Sequence, residues 1–407
     1  GGITLAMTDW RAAVDSWIDS QADELRSIRR HLHAHPEPSR EEYETIQFLA
    51  SRLRDEDVPH ALTPSRRGIL AGALEVDGPP LAAFRADVDA LRISDAKDVA
   101  YRSQRDGVMH ACGHDAHATM ALGATLALWR CRELLPAPIA WRAIFQPAEG
   151  GGEAPPVRGA ARAVKRVGAG LALHVDSDRP TGRVGYRVGP LTAFCQELDV
   201  VVRGVGGHGA RPYEARDPIV AAAQFVSAVY QLIPRSVDAR DPTVVTFGSI
   251  QGGESANIVP DQVVLQGTIR TLSRVGSQRV AERIQRIARG IAAATETTFD
   301  VHLGFSTDGV VNDPEITAVC LRAAGEVVGP ENLDLIPLPS MGGEDFSGYL
   351  TEAPGCLLRL GVAQEGQPRH HLHSPYFDVD EGALILGAKL LARGAVLTAA
   401  ELDRGRP

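Results

Sequence analysis

The stretch His110-Ala111-Cys112-Gly113-His114-Asp115-Ala116-His117 decides how the rest of the chain is read. Four thiol or imidazole groups able to ligate a metal fall within these eight residues, and the glycine among them lets the backbone turn sharply. An apolar run with helical spacing follows at once, through Ala118, Met120, Leu122 and Leu126. Cys112 and His114 stand two apart, so an extended or turning backbone can present both side chains to one side. A thiolate with an imidazole suits zinc and similar transition ions far better than magnesium or calcium. Two donors do not complete a site, so the reading depends on where the chain supplies the others.

At 407 residues the chain exceeds one ordinary core, and two domains are expected. A hydrophobic content of 44% with 23% charged residues is that of a soluble globular protein. The net charge of −9, from 42 basic and 51 acidic residues, argues against nucleic acid as the main partner. The five cysteines (112, 131, 195, 320 and 356) lack the close, even spacing of a disulfide scaffold, which fits a reducing, cytoplasmic setting. The first residues carry no basic segment followed by a long apolar stretch, so no signal peptide is expected, and Met7 is the expected natural start. No run approaches the roughly 20 apolar residues of a membrane span, and no membrane partner is expected.

Along the chain, Trp10, Val14, Trp17, Ile18 and Leu25 predict a first helix, capped by Thr8 or Asp9 and ending before Pro36. His31, His33 and His35 fall in its last turn and read as polar groups favoured at a helix C-terminus. Ser39 with Glu42 reads as a capping box for a second helix through Leu53. Strand-like runs follow at 68–75, 81–86, 139–145 and 171–175. Strands alternating with helices, with polar residues at the strand ends, predict an open α/β sheet with its site at the carboxyl edge.

The pattern changes near residue 195. Strand, helix, two strands, helix and strand succeed one another over 195–307, a split β-α-β-β-α-β arrangement of α+β type. The α/β rhythm then resumes, with a helix to Val328, a strand over 356–362 and a closing helix from about Asp380. The expected architecture is therefore an open mixed sheet flanked by helices (8–194 plus 308–407), interrupted by a lid or dimerisation domain (195–307).

Asp89, Cys112, His114, Glu149, His174 and His373 are remote in sequence but share the address of a strand end. Such a set could hold two metal ions roughly 3.5–4 Å apart with a water between them. A nearby carboxylate could take that water's proton, which is the apparatus for attacking an amide carbonyl.

The matching stretches RADVDAL (85–91), MHACGHDAH (109–117), FQPAE (145–149), GVGGHGARP (204–212), NIVPD (257–261), GTIRT (267–271), GGEDF (342–346) and HSPYFDVDE (373–381) span nearly the whole chain. In content and order they resemble the amidohydrolase branch, subfamily D, of peptidase family M20. These are dinuclear aminoacylase/carboxypeptidase metallopeptidases that include hippurate hydrolases, N-acyl-amino-acid amidohydrolases and plant auxin-conjugate hydrolases. The resemblance implies a zinc-peptidase-like catalytic domain and a homodimer. It implies Cys112, His114, His174 and His373 as ligands of two divalent transition ions, zinc or manganese, with cobalt or nickel also compatible. It implies Glu149 as general base and Asp89 as the residue orienting a ligating imidazole. It further implies His208 as a histidine reaching the partner subunit's site to polarise the scissile carbonyl. Asn257 and Arg270 would contact the substrate's amide and α-carboxylate, where a planar guanidinium binds bidentately.

One position departs from the pattern. The family places two glutamates after Gln-Pro-Ala, the second a ligand, whereas here Glu149 is followed by Gly150-Gly151-Gly152-Glu153. Either Glu153 turns in as a ligand, or the second metal site lacks a carboxylate and is weak, or Glu149 itself ligates. Tyr213 also stands where the family often has a histidine. The expected function is metal-dependent hydrolysis of an N-acyl amino acid or related small amide. The alternatives are a non-catalytic binder of acyl-amino acids or metal, and a dipeptidase or carboxypeptidase.

Overall fold

The computed structural model describes residues 9–136, 140–147 and 164–405. It divides into two compact units, one of Gly1–Gly189, Val311–Pro337 and Gly348–Pro407, the other of Pro190–Val310 and Leu338–Ser347.

The first unit is built on an eight-stranded mixed sheet. Its order is His60–Leu62, Ile69–Gly72, Trp141–Gln146, Leu81–Asp87, Val167–Pro180, Gly355–Ala363, Val184–Tyr186 and Leu333–Leu335. The four middle strands, from Trp141–Gln146 to Gly355–Ala363, run parallel. Ile69–Gly72 and Val184–Tyr186 run antiparallel beside them. Leu81–Asp87 and Trp141–Gln146 are buried at every position, which is why they read as near-continuous apolar runs. The buried Arg142 is satisfied by the carbonyls of Ala73, Glu75 and Lys165.

Helices cover this sheet. His114–Arg130 is buried around almost its whole circumference. The closing helix Ala383–Arg404 lies against it so closely that a methyl group on Gly387 would collide with Met120. By length and composition this 22-residue helix could cross a membrane, contrary to the expectation that no run is long and apolar enough. Its most apolar window is 72% buried inside the protein, so its hydrophobicity serves the core.

Two local expectations are corrected. The first helix breaks at Gln21 into Trp10–Ser20 and Ala22–Ala34. The capping box does not form, because Ser39 donates to Asp89 Oδ2 (2.7 Å) and Glu37 instead accepts the N–H groups of Glu44 and Thr45. That helix runs Tyr43–Asp55.

The second unit holds a four-stranded antiparallel sheet in the order Thr243–Gln251, Gln262–Thr271, Phe194–Arg203, Thr298–Thr307. Helices Pro218–Leu232 and Arg274–Thr295 pack on it through a core that includes Leu198, Val200, Phe225, Ile269 and Ile284. Asp217 and Ser273 cap these helices with their side chains. Residues 338–347, which the sequence reading places with the first unit, group with the second. Ala193 N–H donates to Gly342 (3.1 Å) and Ser340 N–H to Leu191 (2.9 Å).

Candidate metal centre

The backbone at Gly113 positions the site. It has φ 79°, in the left-handed region, immediately before helix His114–Arg130. A side chain there would also run into Cγ2 of Val175, so the position needs glycine for conformation and for space. This turn brings Cys112 and His114 against the middle of strand Val167–Pro180, where His174 lies. The expected strand end at Val175 is corrected, because pairing with Gly355–Ala363 continues to Pro180. Cys112 Sγ, the His114 ring and the His174 ring offer donor atoms that all lie within 4.8 Å of one another.

Each imidazole is oriented by its second nitrogen. His114 Nδ1 faces Asp89 Oδ1 and the Asp89 carbonyl, both at 2.9 Å. His174 Nδ1 faces the Val175 carbonyl at 2.8 Å. With Nδ1 engaged in both rings, Nε2 is the nitrogen left to offer a lone pair to a metal. His174 Nε2 is 3.5 Å from Cys112 Sγ. His373 is not one of those three donors; its N–H donates to the Ala111 carbonyl (2.8 Å), next to Cys112, and the Cys112 thiol raises its pKa. Its φ of 68° is uncommon for a residue with a side chain and is held by that backbone bond.

The electrostatics favour a cation. Burial opposes ionisation of Cys112, but the adjacent His174 and His114 outweigh it and hold the thiol well below its ordinary range. Burial likewise opposes charge on His114, yet Asp87, Cys112 and Asp89 raise its pKa well above the usual imidazole value. The pocket thus sheds the thiol proton and draws positive charge to the same spot. A soft transition ion would meet both demands, so thiolate and imidazole donors fit such a group.

Asp87 and His117, which sequence reasoning did not single out, belong to this cluster. Asp87, His114 and His117 also offer donors within 4.8 Å of one another. Both nitrogens of His117 are engaged, however, Nδ1 with Asp87 Oδ1 (2.6 Å) and Nε2 as acceptor for Val175 N–H (2.9 Å). His117 therefore braces the site instead of offering a lone pair. The i,i+3 spacing of His114 and His117 on one helix was the available signal.

The remaining histidines separate by burial. His110 is buried and stands apart from the donor set, and burial pushes its pKa down to about 4. His33, expected as a polar helix-end group, is fully buried between Asp115 (2.7 Å) and Asp95 (3.1 Å). Arg29, also fully buried, joins it to Asp115 and Asp378. This network anchors the residue next to His114. His31 and His35 stay at the helix end, their rings 4.4 Å apart.

Glu149, Gly150 and Glu153 lie outside the described residues. His208, Asn257 and Arg270 are carried by the second unit. There Gly207–His208 pairs antiparallel with Ile258–Val259, and Gly209 N–H donates to the Asn257 carbonyl (2.8 Å). This sets His208 and Asn257, both exposed, side by side in one small ribbon. Arg270, on strand Gln262–Thr271, donates to the Met341 carbonyl (3.0 Å) and Cys195 Sγ (3.4 Å). Among the described residues no carboxylate pairs with it. All five cysteines are free.

Residues 83–396 match the model of peptidase family M20/M25/M40. N-acetyl-L-cysteine deacetylase of Bacillus subtilis is 35% identical over 91% of this chain and 87% of its own length. IAA-amino acid hydrolase ILR1-like 4 of Arabidopsis thaliana is 34% identical over 93% of this chain and 87% of its own. Among solved structures, the B. subtilis YXEP protein, a dinuclear metal binding peptidase, superposes with a TM-score of 0.78 at 30% identity. It covers 94% of this chain and 99% of its own.

Proposed function

Since the chain belongs to peptidase family M20/M25/M40, we propose that the amide bond it hydrolyses joins a small acyl group to the nitrogen of an amino acid. The protein is a metal-dependent amide hydrolase, and the substrate class and residue roles are our reading. The observation that carries it is the convergence of His114 and His174 on Cys112 in the first unit, with the backbone of His373 bonded to Ala111 beside them.

Cys112, His114, His174 and His373 would hold two divalent transition ions, with zinc or manganese suiting the donors best. When bound, such ions polarise a carbonyl and bring the pKa of water down toward ~7. Asp89 fixes the His114 tautomer so that Nε2 faces the site. Glu149 removes the proton of the attacking water and returns it to the leaving nitrogen, as a general base and then acid. Arg270 grips the α-carboxylate of the substrate, a role supported by the absence of a carboxylate partner among the described residues. Asn257 holds the amide, and His208 donates to the carbonyl oxygen of a substrate in the partner subunit of a homodimer. Thr243–Gln251, an edge strand exposing Val244 and Ile250, supports pairing of two second units. The five free thiols support a reducing, cytoplasmic setting.

A panel of N-acyl amino acids assayed with added Zn²⁺, Mn²⁺ or Co²⁺ tests this reading. Turnover abolished by Glu149→Ala with metal retained is the expected result. Absence of turnover on every member by metal-replete protein overturns it, and binding without hydrolysis identifies a binding protein instead. Preference for peptides over simple acyl groups marks a dipeptidase or carboxypeptidase, and a fully active monomer in sedimentation removes the role of His208.

A further inference from the structure

Gly150, which stands where the resembling family has a second glutamate, has no side chain to offer a second metal position. We propose that Asp87 supplies that ligand in this chain, binding through Oδ2 beside Nε2 of His114. The proposal rests on the dinuclear reading of the site and adds a donor that reading does not contain.

Register brings Asp87 there. Arg85 pairs with Ala172 in the parallel ladder, so continuing two residues sets Asp87 abreast of His174. Asp87 Oδ2 is 3.5 Å from His114 Nε2. That is long for a hydrogen bond, which runs about 2.7–3.2 Å, and the neighbouring polar contacts show no such slack. His114 Nδ1 meets Asp89 at 2.9 Å and His117 Nδ1 meets Asp87 at 2.6 Å. The separation does suit two donors on one tetrahedral ion. Metal–nitrogen and metal–oxygen bonds of about 2.0–2.2 Å at the tetrahedral angle put their ends about 3.3–3.5 Å apart. The pair formed by Cys112 Sγ and His174 Nε2 fits by the same geometry, since a metal–sulfur bond of about 2.3 Å stretches the expected separation to about 3.5 Å, as found.

Asp87 is also held as a ligating carboxylate is usually held. Oδ1 is braced by His117 and Oδ2 receives Arg85 Nη1 (3.1 Å), both partners being buried. Hydrogen bonds to a ligating carboxylate are the common support that aims it. Among the described carboxylates, Asp87 is the one whose oxygen joins a group of donor atoms lying within 4.8 Å of one another, with His114 and His117.

The test is metal content of the full-length protein, saturated with Zn²⁺, freed of unbound ion by gel filtration and measured by elemental analysis. Two ions per chain in the parent, one in Asp87→Asn and two in Glu153→Gln are the expected counts. Asp87→Asn retaining two ions, Glu153→Gln falling to one, or a parent holding fewer than two each overturns the proposal. Should Asp87→Asn fail to fold, Asp87→Glu keeps the charge facing Arg85 but displaces the oxygen. Chelator competition should then show its weaker site loosened by at least about 10-fold, and an unchanged affinity refutes the assignment. These readouts are independent of turnover. A parent that binds two ions through Asp87 yet cleaves no N-acyl amino acid sinks the proposed function while sustaining this ligand.

Discussion

Nε2 of His117 accepts the backbone N–H of Val175 at 2.9 Å, and the carbonyl of Val175 faces Nδ1 of His174 at 2.8 Å. One residue of strand backbone thus links a helix histidine to a donor of the metal centre. His117→Asn keeps a donor for Asp87 but cannot reach Val175, whereas His117→Gln can reach it. Metal affinity measured by chelator competition should fall about 10–100-fold in the Asn variant. The Gln variant should recover most of that loss.

Gly113→Ala is expected to be severe. The left-handed φ of 79° disfavours any side chain, and the added methyl would meet Val175. Together these should cost roughly 2–4 kcal/mol, read as a lowered denaturation midpoint. The variant should also bind metal more weakly, because both Cys112 and His114 are displaced.

Acid sensitivity should run through Asp378. Burial works against its charge, but Arg29 (2.7 Å) and the hydroxyl of Tyr101 (2.7 Å) outweigh that and hold its pKa below the ordinary carboxylate value. A carboxylate depressed in the folded state stabilises fully above its unfolded value, ~3.9, and loses that contribution as pH falls through the folded value. The melting temperature of the parent should therefore decline below about pH 4 more steeply than that of Asp378→Asn. At neutral pH the variant should be less stable by roughly 1–3 kcal/mol.

Arg270→Ala should act on substrate binding with little effect on folding. Arg270 is half-buried and gives up only its bonds to Met341 and Cys195. Loss of a charged hydrogen bond to the substrate carboxylate is worth about 1.5–3 kcal/mol. KM for N-acyl amino acids should accordingly rise about 10–100-fold. The matching amides without a carboxylate should be cleaved equally by parent and variant.

Much of this was legible before any coordinates, and the reason lies in local pattern. The elements of the second unit follow from apolar periodicity and turn residues, and the observed strands Phe194–Arg203 and Gln262–Thr271 lie where alternation places them. Cys112 and His114 announce themselves by spacing, whereas His174, expected near the end of a short strand, lies in the middle of a 14-residue one. Asp87 escaped because its place depends on the register of Leu81–Asp87 against Val167–Pro180, which no local pattern encodes, and His117 was signalled only by its i,i+3 spacing from His114. Ser39 was misread because its actual partner, Asp89, lies fifty residues away. His33 was misjudged for the same reason, its partners Asp95 and Asp115 arriving from distant segments.

The place of Gly355–Ala363 in the middle of the large sheet sets an order of events during synthesis. Strand Val167–Pro180 must wait for a neighbour made almost two hundred residues later, and helix His114–Arg130 waits longer still for Ala383–Arg404 to cover it. Most of the second unit, contiguous over Pro190–Val310, leaves the ribosome while one edge of an apolar strand in the first is still unpaired. Such an edge is where nascent chains aggregate. Ribosomes stalled before codon 355 should therefore carry a protease-resistant second unit beside a first unit that a chaperone must shield.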